Sequence, residues 1–136
     1  TTSSAASDVY KRQVIDFQDM CIGPIGIDIA GILLDHYMSF DRSIIKKDLK
    51  YFLDHSDISL SEDDLFEFFR WSGIQRNMRI LGTLANLYCD EGRDFRLKDL
   101  PNILSNLTYL IPDKHNSKSF FEDKVKNKLN DRLAAL

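Results

Sequence analysis

Near the end of a short β-prone run the dense set of functional side chains is a trio of aspartates, Asp16, Asp19 and Asp28. Asp16 lies in a short β-prone run, Val14-Ile15-Asp16-Phe17, and a loop marked by Gly23, Pro24 and Gly26 follows it. A carboxylate at the end of a strand, beside a glycine-containing turn, suits a hard divalent cation. Magnesium takes one or two carboxylates and completes its shell with phosphate oxygens and water. The same residues also suit plain structural duties: Asp28 as the N-cap of the helix that starts near it, Asp19 as a solvated loop residue. The softer ligands are sparse. Cys21, Cys89, His36, His55 and His115 have no zinc-ligand spacing.

These carboxylates need a scaffold, and the hydrophobic periodicity supplies a helical one. From Asp28, Ala30, Leu33, Leu34 and Tyr37 fall on one helical face. A second helix fits 42–54, with Asp41 as its cap and Ile45, Leu49, Phe52 and Leu53 inward. Ser61-x-x-Asp64 resembles a capping box ahead of Leu65, Phe68 and Phe69. Gly73 either interrupts that helix or ends it. Beyond it, Ile74, Met78, Leu81, Ala85 and Tyr88 predict a buried face, and Gly92 predicts a C-terminal cap. Trp71 and the Phe66, Phe68, Phe69 cluster read as core. Asp99 and Pro101 open a helix with Leu100, Ile103, Leu104, Leu107 and Ile111 inward, stopped by Pro112. A last helix runs from about Ser119 through Phe121, Val125, Leu129 and Leu133. The expected fold class is mainly α: one short strand, then about six helices. A lone strand forms no sheet, so its partner is expected upstream.

With 136 residues, 43% hydrophobic and 29% charged, the chain has room for one globular domain or a piece of one. A net charge of −3 with no basic block argues against nucleic acid as a partner. No run of about twenty apolar residues is present for a membrane helix. Two cysteines fit a reducing compartment, so the expected location is cytoplasmic.

Ser3 to Gln13 reads SSAASDVYKRQ, the in-frame translation of a transposase sequencing adapter. Residues 1–13 are therefore expected to be a non-native tail. Residues 14–136 then form the natural part, beginning inside a domain.

The run Val14-Ile15-Asp16-Phe17-Gln18-Asp19 is followed by Gly23-Pro24, Ile27-Asp28-Ile29-Ala30 and Leu33-Leu34-Asp35-His36-Tyr37. Together they resemble the DFQD…GP…YDL…LLxDxY signature of bacterial aminoglycoside-phosphotransferase-like kinases. More narrowly, they resemble the cell-wall sugar kinases that phosphorylate the anomeric hydroxyl of N-acetylmuramate and N-acetylglucosamine. Gly73-Ile74-Gln75-Arg76-Asn77-Met78-Arg79-Ile80-Leu81-Gly82 is similar to the G-x-Q-R-x-x-K-x-L-G segment of that group. Asp90-Glu91-Gly92-Arg93 is similar to its R-D-G-K turn, and Asp99-Leu100-Pro101 to its D-L-P. The chain departs from the pattern at Ile27, Arg79 and Cys89, where the group has Tyr, Lys and a basic residue.

The resemblance implies the helical C-terminal lobe of a protein-kinase-like fold. It implies an ATP-dependent phosphotransferase with Mg2+ as cofactor and a sugar as acceptor. Asp16 matches the aspartate that holds magnesium against the nucleotide phosphates. Asp19 is either a second metal ligand or an exposed loop residue. Asp28 matches an aspartate that braces the catalytic loop. Substrate-side candidates are Asp35, set against a sugar hydroxyl, and Gln75, Arg76 and Arg79 on the polar side of the long helix. The catalytic loop of the family, H-x-D-x-x-x-x-N, and its glycine-rich nucleotide strand have no counterpart in the sequence. The catalytic base is thus expected upstream of Val14, and the chain alone is expected to be inactive. Two other functions fit the residues less fully: a non-enzymatic helical binding or regulatory module, and a kinase for another acceptor of the aminoglycoside or choline type.

Overall fold

The computed structural model describes residues 22–35 and 41–135. The expected strand at 14–17, the tail at 1–13, and Asp16, Asp19 and Tyr37 lie outside the described residues. Among those described, the regular elements are all helical and no strand occurs.

Helix α1 spans Gly26–Leu33. Its N-cap is Ile25 and not Asp28, which sits inside the first turn. There its charge complements the positive end of the helix dipole. The expected Asp28 cap is therefore corrected: the chain turns at Gly23-Pro24 and the helix begins two residues before the aspartate. A 3-10 turn, Arg42–Ile44, leads into α2, Ile45–Asp54. Asp41 caps this entry as expected, with Oδ1 accepting from the Ser43 N–H at 2.9 Å.

Helix α3 is a single 30-residue rod, Glu62–Glu91, about 45 Å long at 1.5 Å per residue. Ser61 starts it: its Oγ accepts from the Asp64 N–H at 3.1 Å and donates to Asp64 Oδ2 at 2.7 Å. Gly92 stops it at φ 65°, ψ 18°, a left-handed position that costs glycine nothing. The Gly92 N–H bonds to the Tyr88 carbonyl, and the Arg93 N–H to that of Leu87. Gly73 neither interrupts nor ends α3. It is buried where Leu34 and Leu110 converge, and a Cβ there would stand 2.6 Å from Leu34 Cδ1 and 2.7 Å from Leu110 Cδ1.

This packing corrects the expected buried face of α3. The residues facing the core are Leu65, Phe69, Gly73, Asn77 and Leu84. Met78 and Tyr88 are 49% and 37% exposed, and Ala85 is exposed too. Trp71 and Phe68, expected in the core, are 51% and 45% exposed. Leu65 and Phe69 are buried as expected and Ile74 and Leu81 pack against the cores, but two core positions are filled by glycine and asparagine, which carry no apolar signal.

A second 3-10 turn, Leu97–Asp99, leads into α4, Leu100–Leu110, with Pro101 in its first turn. Asp99 makes no cap there; its carboxylate pairs with Arg96 Nε at 2.6 Å. Ile111 is extended, as the residue before proline prefers, and Pro112 ends the helix. Helix α5 starts as Ser117–Ser119, two residues before the expected position. It passes through a π-helical stretch, Phe120–Val125, and continues as Lys126–Ala134.

One core joins α1, α2 and the first half of α3 through Ile29, Ala30, Leu34, Ile45, Leu49, Leu65, Phe69 and Leu110. A second joins the far half of α3 to α4 through Leu84, Leu97, Leu100 and Ile103. A third seats α5 on Leu104, Leu107 and Ile111. Fully buried side chains such as Phe69, Leu65 and Ile45 each contribute roughly 1.5–3 kcal/mol. Together these contacts make α3 the spine of the molecule.

Candidate functional site

Helix α1 carries the acidic candidates across the first half of α3. Gly26 makes this crossing close: a Cβ there would lie 2.1 Å from the Phe68 carbonyl oxygen. From that point α1 runs past Arg76, whose guanidinium nitrogen would stand 3.9 Å from a Cβ on Gly31. Asp28 is exposed on α1, at the edge of a hollow of ≈ 340 Å³ shared with Phe52 and Asp48 of α2. Asp35 follows the helix and is half-buried.

Of the three polar candidates on α3, only Arg76 is brought to α1. It is half-buried, and its Nε is enclosed without a hydrogen-bond partner among the described residues. Gln75 and Arg79 are exposed, one turn apart on the outer face. That face also carries Phe68, Trp71 and Met78, the large apolar side chains expected in the core. The arrangement thus sets a cation against α1 at Gly31, and a separate exposed stripe of amide, guanidinium and aromatic groups.

Among the described residues no three His, Cys, Asp or Glu side chains gather as a metal ion would require. The magnesium candidates Asp16 and Asp19 lie outside the described residues. No described helix is long and apolar enough to cross a membrane.

The sequence matches two curated relatives over most of its length. One is an N-acetylmuramate/N-acetylglucosamine kinase of Neisseria meningitidis serogroup B, 28% identical over 99 residues, which cover 69% of this chain and 30% of the relative. The other is an N-acetylmuramate/N-acetylglucosamine kinase of Pseudomonas putida, 25% identical over 103 residues, 72% of this chain and 30% of the relative. The chain resembles these sugar kinases. It spans about 30% of the length of the curated relatives it matches. No family model matches the chain, and no solved structure matches it significantly.

A group of cations was not visible in the sequence. Lys46, Arg70 and Lys114 come from α2, α3 and the turn after α4, and they line one hollow. Positions this far apart leave no linear signal. The expected absence of a basic block is true of the sequence, but folding assembles a local one.

Proposed function

We propose that the chain is part of an ATP-dependent small-molecule kinase, acting on a sugar hydroxyl. The anomeric hydroxyl of an N-acetylated amino sugar is the preferred acceptor. The observation that carries this reading is the similarity to two kinases of that name over 69% and 72% of the chain. The helical architecture fits the acceptor side of a kinase-like C-terminal lobe. In this reading ATP donates the phosphoryl group and Mg2+ neutralises its charge, held by Asp16 with Asp19 as the second candidate. Asp28 braces the catalytic loop. Arg76 and Asp35 face the acceptor, while Gln75 and Arg79 recognise its polar substituents.

The test is ATP consumption by the protein expressed from the full-length gene. The acceptors are N-acetylmuramate, N-acetylglucosamine, an aminoglycoside and choline. Turnover with either amino sugar and not with the others supports the reading. Turnover with the aminoglycoside or choline alone would keep the kinase and replace the acceptor. No turnover with any of them would remove the kinase reading.

A further inference from the structure

We propose that the hollow between α2, α3 and the turn after α4 is an anion site that binds the phosphate of a small phosphorylated molecule. It measures ≈ 480 Å³, within the usual range for small-ligand sites. Three cations line it, Lys46, Arg70 and Lys114, in a chain whose net charge is −3. The site stands apart from the kinase residues: Arg70 precedes Arg76 by six positions, which turns it about 120° around α3.

One aromatic ring of the wall, Phe66, holds two of these cations, and a second, Tyr109, holds Arg42, which does not line the hollow. Lys46 Nζ stands 5.6 Å and Arg70 Cζ 4.8 Å from the centroid of Phe66. Arg42 Cζ lies 4.8 Å from the centroid of Tyr109, and its NH2 donates to Ser105 Oγ at 2.6 Å. Cations held on ring faces lose little further freedom when an anion arrives. The acid that lines the hollow is already engaged. Asp113, the acid in the wall, pairs with Lys118 of α5, and Arg70 pairs with Glu67 at 2.7 Å along its own helix. With those pairs counted as neutral, two positive charges remain, on Lys46 and Lys114. Neither has a carboxylate within ion-pair distance among the described residues. Two lysines beside an arginine fork suit the several oxygens and double charge of a phosphomonoester better than a lone carboxylate.

The test is titration calorimetry on the intact chain, at ionic strength held constant with sodium chloride. The probes are inorganic phosphate, N-acetylglucosamine 1-phosphate and uncharged N-acetylglucosamine. The two phosphates should bind saturably and the uncharged sugar should not. Lys46→Glu with Lys114→Glu should weaken phosphate binding by at least about tenfold, since each charge-assisted contact is worth about that much. Both side chains are exposed, so the fold should survive, and a thermal melt checks it. The milder Lys46→Gln with Lys114→Gln should weaken binding less. Lys124→Glu with Lys128→Glu, exposed on α5, changes the net charge equally and should leave binding unchanged. Absence of saturable phosphate binding, or equal losses in the two lysine-to-glutamate pairs, would overturn the site. Neither outcome bears on the kinase reading, which the acceptor assay tests separately.

Discussion

The backbone of Gly26 lies against the carbonyl of Phe68, so close that a Cβ on Gly26 would stand 2.1 Å from that oxygen. This contact sets how α1 crosses α3, and with it where Asp28 and Arg76 sit. Gly73, one helical turn beyond Phe69, makes a looser contact with the tips of Leu34 and Leu110. Both glycines are helical, where alanine alone would gain about 1 kcal/mol. At Gly73 the methyl meets flexible side-chain ends, so Gly73→Ala should cost a net of about 1–2 kcal/mol. At Gly26 the methyl meets backbone, and α1 must move away. Gly26→Ala should therefore cost more than Gly73→Ala, by urea midpoints on the same chain. The reverse order would mean that α1 is free to shift.

Asn77 and Asn106 are 1% and 5% exposed, on the facing sides of α3 and α4. Asn77 Nδ2 donates to the Gly73 carbonyl at 2.7 Å. Its Oδ1, and Nδ2 of Asn106, have no partner among the described residues. A buried polar atom left unpaired costs roughly 1–3 kcal/mol. Asn106→Leu keeps the branched shape and removes the cost, so it should leave stability unchanged or raise it by about 1 kcal/mol. Asn77→Leu also discards the bond to Gly73 and should gain less. Urea unfolding of both variants and the double replacement measures this. A loss above about 1 kcal/mol in Asn106→Leu would mean that its amide is bonded after all.

The Asp41 cap should shape the acid limb of stability. Hydrogen bonds from the Ser43 hydroxyl and backbone N–H hold its carboxyl below the ordinary 3.8. A carboxyl lowered on folding contributes stability above its unfolded value, and that contribution is lost as pH falls through the lowered folded value. The window therefore lies below about pH 4. Asp41→Ala should flatten the decline in urea midpoint there, while lying below wild type by a constant amount near neutral pH. Parallel slopes below pH 4 would show that the cap carries none of the dependence.

Local chemistry was legible in the sequence where it acts over a few residues. Asp41, Ser61 with Asp64, and Gly92 all take the terminal positions that their side chains or backbone freedom predict. The helical fold class followed from the same short-range signals. The inward face of α3 was legible at Leu65, Phe69, Ile74 and Leu81 and not at Gly73 and Asn77, which hold core positions without any hydrophobic signal. Trp71, Phe68 and Met78, which carry that signal, face outward. The Asp28 cap failed for a related reason: the turn at Gly23-Pro24 sets the start of α1 two residues early. Of the candidate site, Arg76 is drawn to α1 by packing at Gly31, while neighbouring Gln75 and Arg79 point elsewhere. A motif in sequence cannot separate side chains that a helix turns through 100° per residue.

Asp16 and Asp28 take different roles in the proposed kinase. Asp28 is exposed in the first turn of α1, with the helix dipole in its favour, a contribution of about 0.3–1 kcal/mol. Asp28→Ala should therefore lower stability by no more than that, and should lower turnover because the catalytic loop loses its brace. Asp16 is assigned to the metal on the nucleotide phosphates, and no described carboxylate cluster is available to replace it. Losing one electrostatic contact to a developing charge typically costs on the order of 10² to 10³ in turnover, and a metal ligand at least as much. In the protein from the full-length gene, Asp16→Ala should abolish magnesium-dependent ATP consumption while its melting temperature stays at the wild-type value. The measurement pairs thermal melts with the amino-sugar assay for both variants across a magnesium titration. If raising magnesium restored Asp16→Ala, the residue would weaken metal binding without being indispensable to the step. If Asp16→Ala kept more than about a tenth of the wild-type rate at every magnesium concentration, the metal assignment would fall. The assignment of Asp28 would then need a partner other than a metal-bound loop.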